Sequence, residues 1–403
     1  MLRYGRGVLH SIKTQNKRSG RSARVVYRRT FQMTPLYCYV VSMESSKKIE
    51  IFCLELQKWF AIHKRTLPWR DLKEKNIDHK AYLVLVSEIM LQQTQVPRVI
   101  ILYKNFIQIF PRIEDLAKAS NKQVLLAWRG LGYNNRALRL RDAVREIVEK
   151  FHGKFPREMN DLLSLPGIGH YTAAAIRNFA FGLSTPCLDT NIRRILHRFF
   201  VGPENADGTW KKDDKFLLKL AEKVLGVAMK TNNKKVREAA GLAGPAAGAP
   251  PLREKMVHGR KTVGLPSMNF HAALMDFGSL VCTKNNPKWE LFPLGMRSIC
   301  KAYRKVKVRT KKVNKKLEIG REVAGKHIPN RIFRGRIIEA LRDAPRGLSL
   351  HQIGSQVTID WPEALSEVEG TMDDHREWLM GLLVALKRDG LIERRGVRWK
   401  LKE

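Results

Sequence analysis

"LPGIGHYTAAAIRNFAFGLSTPCLDTNIRRI", Leu165–Ile195, sets two glycines two residues apart and then, twenty residues after Gly169, a lone Asp ahead of an Arg-rich stretch. Upstream "MNDLLSL" and downstream "YTAAAIRNFAF" carry apolar residues at helical spacing, so "PGIG" reads as a hairpin between two helices. Gly167 and Gly169 lack a Cβ and are free to take positive φ, which opens their amides and the next helix N-terminus to a phosphate. This helix-hairpin-helix reading describes a sequence-independent grip on a nucleic-acid backbone; an ordinary helix–helix turn is the alternative for a G-x-G taken alone. Asp189, just before "TNIRRILHRFF", is placed as an N-cap, and N–H donors from the helix favour an ionised carboxylate even when it is buried.

A second carboxyl stands out against its neighbours. Glu88 lies in "LVLVSEIMLQQ", where nearly every other residue is apolar. Ionising it there is costly, so its pKa is expected to rise and the group to hold a proton near neutral pH. One protonated and one ionised carboxyl is the pair that glycosidic bond cleavage needs: the acid protonates the leaving group while the anion stabilises an oxocarbenium-like sugar.

Composition names the partner class. The 403 residues include 75 Lys plus Arg against 38 Asp plus Glu, a net charge of +37, which points to a polyanion and first of all to nucleic acid. No apolar run is long enough to span a membrane. Cys38, Cys53, Cys187, Cys282 and Cys300 are odd in number and scattered, which fits a reducing compartment rather than a disulfide framework. Residues 1–45 form a basic extension with no acid before Glu44, expected to be disordered, or to precede a true start at Met43; a mitochondrial presequence fits the same composition.

From residue 46 the pattern is helical, and scarce strand signals predict an all-α domain over 46–300. "VPRVIILYKNFIQIF" has Pro97 near its start and places Ile100, Tyr103, Phe106, Ile107 and Phe110 on one stripe. A small-residue, Pro/Gly-rich stretch over 230–264 reads as a flexible insertion. Residues 301–328 read as a basic linker. The remainder, 329–403, is expected to be a separate module of three amphipathic helices and the hairpin "LIERRGVRWKLK", a winged-helix pattern with an acidic loop before its third helix.

"LPWR", "SEIMLQQTQV", "WRGLGYNNRA", "LPGIGHYTAAAI" and "CLDTNIRRI" occur in this order, and together they resemble the helix-hairpin-helix DNA glycosylases, most closely the MutY-type adenine branch, over residues 48–300. The resemblance implies two helical lobes and excision of adenine mispaired with 8-oxoguanine or guanine in double-stranded DNA, with an abasic site as product. It makes Glu88 the general acid, Asp189 the carboxylate facing the sugar cation and Asn191 its support. Tyr171 stands where strand-cleaving relatives carry a Schiff-base lysine, which implies a hydrolytic, monofunctional enzyme; a packing aromatic is the plain alternative. Gln93 matches the wedge inserted into the base stack, Tyr133 lies in the second inserting loop, and Trp69 and Arg70 match residues around the adenine pocket. Each of these four has a purely structural alternative.

The chain departs from the family in three places. Many relatives hold an iron–sulfur cluster on four cysteines, but here Cys282 is followed by Trp289 and Phe292 at the next two ligand positions, and Cys300 is displaced by two residues. Two thiolates do not hold such a cluster, so no cofactor and no metal are expected. A strand-rich Nudix-like domain is absent from the C-terminal pattern, and Thr190 replaces a usual Gly. A thymine or uracil mismatch glycosylase and a non-catalytic winged-helix regulator are the competing readings. A monomer is expected, in the cytoplasm or nucleoid of a prokaryote or in the nucleus or mitochondrion of a eukaryote.

Overall fold

The computed structural model describes residues 35–70, 72–205, 207–231, 267–306, 318–361 and 371–403. Most of the basic extension, most of the 230–264 insertion and most of the acidic loop before the third module helix lie outside these residues. Helix α1 runs Pro35–His63, so regular structure begins ahead of the expected boundary at residue 46. No helix among the described residues is long and apolar enough to cross a membrane.

The first lobe is built on α2, Ile77–Leu91. Asn76 caps it, its side-chain oxygen accepting from the amides of Asp78 and His79 at 2.9 and 3.1 Å. Because α2 is apolar on all sides, every residue from Ala81 to Met90 is buried, Glu88 included. Around it pack α3 (Val96–Ile109), α4 (Ile113–Lys118), α5 (Asn121–Ala127) and α6 (Asn135–Phe151). The α3 stripe falls as its spacing predicts, with Tyr103, Phe106 and Phe110 buried and Ile100 and Ile107 half-buried against the same core.

The hairpin follows: α7 spans Met159–Ser164 and α8 spans His170–Phe179. The second lobe gathers α1, α9 (Thr190–Leu196), α10 (Asp214–Thr231) and α11 (Ser267–Leu280) around Phe52, Trp59, Phe199 and Phe277. A π-helical turn, His197–Val201, extends α9, and α12 (Leu294–Ile299) closes the lobe.

The C-terminal part differs from expectation in two ways. Residues read as linker contain an antiparallel hairpin, β1 (Gly320–Val323) with β2 (Lys326–Pro329), which leads into α13 (Asn330–Arg342). Short polar strands around an Ala324–Gly325 turn gave too weak an alternation to mark it. Then come α14 (Leu350–Val357), α15 (Thr371–Arg388) and the wing, β3 (Ile392–Arg395) paired with β4 (Arg398–Leu401). The winged-helix order is as predicted, but the module is not separate. Its core includes Leu125 of α5 and Leu138 of α6, and Asn121 Nδ2 donates to Gly390 O at 2.6 Å. Two leucines on first-lobe helices would face water without it, so the module is a packed part of the fold.

Candidate active site

The hairpin sets the site through its glycines. Gly167 sits at φ +74°, where a side chain would be strained and would press on Arg139. Gly169 does not share this conformation: its φ is −94°, ordinary extended backbone, and it caps α8. Of the two glycines free to take positive φ, only Gly167 uses that freedom in the turn. Because α8 starts at His170, Tyr171 falls in its first turn and its phenol reaches α2.

There Tyr171 donates its hydroxyl proton to Glu88 Oε2 at 2.8 Å. Burial pushes the Glu88 carboxyl up to about 7; the Tyr171 hydrogen bond opposes this, the Asp189 charge adds to it and Arg70 opposes it. Burial first, then the neighbouring Glu88 and Asp189, holds the phenol well above its ordinary value, so Tyr171 stays a neutral donor. With Oε2 accepting from Tyr171, the acid proton of Glu88 belongs on Oε1.

Asp189 is the N-cap the sequence predicts. Its Oδ1 accepts from the Ile192 amide at 2.6 Å and its Oδ2 from Asn191 Nδ2 at 2.8 Å. Burial moves the carboxyl above its ordinary value and outweighs the Ile192 amide and Asn191, whose bonds favour the ionised form as the sequence reading has it. Both carboxyls are driven upward, and Asp189 receives two N–H donors where Glu88 receives one hydroxyl.

Two residues that carried no sequence assignment hold this arrangement. Arg194 is buried; its Nη2 donates to Asn191 Oδ1 at 2.6 Å and to Gly278 O at 2.7 Å, and its Nε to Cys282 O at 2.6 Å. By taking Oδ1, Arg194 leaves Asn191 only its NH2 to offer Asp189. Asp276, fully buried, receives Arg65 and Arg70 together, at 2.6 Å each. Arg70 thus ties the "LPWR" loop to α11 while its charge acts on Glu88. Trp69 is buried edge-on against Tyr103 at 5.5 Å. Trp69 and Arg70 border a small cavity with Phe179 and Met268, and Glu88 is not in its wall. Arg194, three residues after Asn191 on one helix face, and Asp276, inside an apolar run, were the signals available.

Gln93 and Tyr133 are both exposed and both sit in left-handed backbone, at φ +56° and +46°. Non-glycine residues adopt this region at a cost and persist there where their surroundings enforce it. Arg136 supplies the enforcement. Its Nη1 donates to the carbonyls of Ile89 and Met90 at 2.7 and 3.2 Å and to that of Gln92 at 2.5 Å. Its Nη2 donates to Thr94 Oγ1 and to the carbonyls of Leu131 and Gly132 at 3.2–3.3 Å. Its guanidinium lies 5.5 Å from the Tyr133 ring centroid. One half-buried cation therefore joins the two loops.

Cys282 and Cys300 are buried thiols beside Arg198, and burial raises both, Cys300 to about 12. Phe292 stacks on Phe199 at 6.0 Å and meets Phe277 at 5.1 Å, while Trp289 packs on Phe292 and Tyr303. Among the described residues no group of three His, Cys, Asp or Glu is placed to hold a metal ion.

Residues 86–243 match the family model of the HhH-GPD superfamily base excision DNA repair proteins. The adenine DNA glycosylase of Mus musculus is 36% identical over 261 residues, 64% of this chain but only 43% of the mouse protein. That of Mycolicibacterium smegmatis is 30% identical over 340 residues, 84% of this chain and 92% of its own length. The chain thus spans less than half of the mammalian relative and nearly all of the bacterial one. Among solved structures, a thermostable thymine-DNA glycosylase overlays with a TM-score of 0.48 at 24% identity, over 65% of this chain and 99% of that one.

Proposed function

This chain belongs to the adenine DNA glycosylases of the HhH-GPD superfamily, and from that premise we propose that it hydrolyses the N-glycosidic bond of adenine mispaired with 8-oxoguanine or guanine in duplex DNA. The observation that carries the reading is the Glu88–Tyr171 hydrogen bond beside an Asp189 held by Asn191 and the Ile192 amide. A purine leaves more easily once its ring is protonated, and a carboxyl pushed to about 7 holds that proton at neutral pH. As the bond breaks, positive charge grows on the sugar, and the Asp189 carboxylate with its two donors already in place stabilises it without rearrangement. Glu88, having given up its proton, then accepts one from the attacking water. The adenine must leave the stack first, and Gln93 and Tyr133 are the side chains offered to the gap.

Tyr171 spends its hydroxyl on Glu88 and has no amine with which to form an imine, so the reaction ends at the abasic site. The residues after α11 do not fit a four-thiolate cluster: two neutral thiols and two packed aromatic rings stand there, and no step passes through iron.

The test is base release from A:8-oxoguanine, A:G, T:G and U:G duplexes, with and without alkali. Adenine release from the first two, with strand breaks appearing only after alkali, is expected. Asp189→Asn should abolish turnover and Glu88→Gln should cost about a hundredfold or more, the scale of general acid catalysis, with DNA binding retained. Release of thymine or uracil alone, or near-normal single-turnover rates in either variant, overturns the reading.

A further inference from the structure

The loop that carries Tyr133 is held from a second side, by the C-terminal module. The side chain of Arg342, at the end of α13, is fully buried. Its Nη2 donates to Asn134 Oδ1 at 2.9 Å, its Nε donates to Leu125 O at 3.1 Å, and its Nη1 pairs with Glu339. Asn135 Nδ2 donates to Asp389 Oδ2 at 3.2 Å, and Asp389 is itself paired with Arg334 of α13. On the other flank of the loop, Arg129 meets Glu339 and Asp343 at 3.3 and 2.5 Å. The residues immediately after Tyr133, and the one four before it, are therefore each tied to the module.

This placement has a physical cost that calls for a use. Burying a guanidinium is expensive unless its donors are met, and here they are met largely by the first lobe. An aromatic residue at positive φ is strained by an amount on the order of 1 kcal/mol, and it relaxes unless its neighbours over-determine it. Arg136 binds the loop from inside the lobe: its side-chain hydrogen bonds there go to Leu131 and Gly132, ahead of Tyr133, and its guanidinium lies against the Tyr133 ring, so none of these side-chain contacts reaches Asn134 or Asn135. Arg342 and Asp389 fix the two residues behind it. We propose that the winged-helix module braces the Tyr133 loop, with Arg342 and Asp389 as positioning residues that hold Asn134 and Asn135 so that Tyr133 is presented in its left-handed conformation. The proposal rests on the glycosylase reading for its effect on catalysis, but not for its effect on the loop. The module acts on the second inserting loop and not merely as an extra phosphate contact; Arg342, being buried, does not reach a phosphate.

Three readouts on the full-length chain test this, using Arg342→Ala, the milder half-exposed Asp389→Ala, and each combined with Tyr133→Ala. In the free protein, hydrogen exchange at amides 130–135 should quicken about tenfold while exchange in α2 and α8 stays as it was. Adenine release at saturating enzyme should slow by about tenfold or more, the effect of a misplaced group on a positioned reaction. Affinity for undamaged duplex, and its dependence on salt, should be unchanged, and either substitution should add nothing once Tyr133 is Ala. Unchanged loop exchange, additive losses with Tyr133→Ala, or weaker duplex binding with an unaltered release rate would each overturn the brace. If the wild type releases no adenine, the functional reading fails and the exchange measurement alone decides the brace. Should Arg342→Ala not fold, Asp389→Ala carries the same readouts.

Discussion

Glu88 shows how much chemistry one side chain takes from its surroundings. Its ordinary value of 4.5 moves to about 7 because α2 is buried on every side. In the proposed reaction the protonated form is the active one, so single-turnover release should hold below about pH 7 and fall toward tenfold per pH unit above it. Stability follows the same shift. Between 4.5 and about 7 the folded chain keeps a proton that the unfolded chain has already lost, so stability declines with rising pH across that window. The loss is on the order of 3 kcal/mol in all, and it is flat above the window. Glu88→Gln removes this dependence while its amide oxygen still accepts from Tyr171. Melting scans at pH 4.5 and pH 8 should therefore show the variant gaining on the wild type at the higher pH; an equal difference at both would refute the burial argument.

At the scale of elements, the site depends on how closely α9 and α11 approach. A Cβ built on Gly278 would stand 2.6 Å from Asn191 Cβ and 3.3 Å from its Cα. The glycine lets Arg194 reach across to Gly278 O and orient Asn191 toward Asp189. Gly278→Ala should force the helices apart, costing about 2 kcal/mol by overpacking and slowing base release through a displaced Asn191. Thermal melting and single-turnover kinetics check both parts; a stable, fully active variant would mean that the helices have room to spare. Arg136 plays the comparable part between the loops after α2 and α5. Its sequence neighbours announce a turn, yet its acceptors come from residues up to 47 positions away, which no local pattern records.

At the scale of the molecule, the C-terminal module shares a core with the first lobe. Leu125 is fully buried and Leu138 is 6% exposed, both within the module's hydrophobic cluster. A chain ending near Lys316 would return both to water at about 2 kcal/mol per leucine, and would also open the Arg342–Asn134 and Asn121–Gly390 contacts. Such a chain should melt well below the full-length protein in calorimetry, with a single transition in the latter. Two resolved transitions in the full-length protein, one of them unchanged by the truncation, would show the module to be independent.

Much of this protein is determined by its sequence alone, wherever the relevant physics is local. Apolar spacing specifies α2, α3 and the hairpin helices, and an Asp before a helical run specifies the N-cap at Asp189. The apolar company of Glu88 specifies its raised pKa, because burial follows from the composition of one helix. Tertiary structure alone decided the rest. The upward shift of Asp189, the orientation of Asn191 by Arg194, the Arg65–Asp276–Arg70 cluster and the seating of the module on α5 and α6 all join residues far apart in the chain. Their energies come from desolvation and from partners that only packing brings within reach. The φ of Gly169 belongs here too, since the same G-x-G permits either conformation and the junction with α8 selects one.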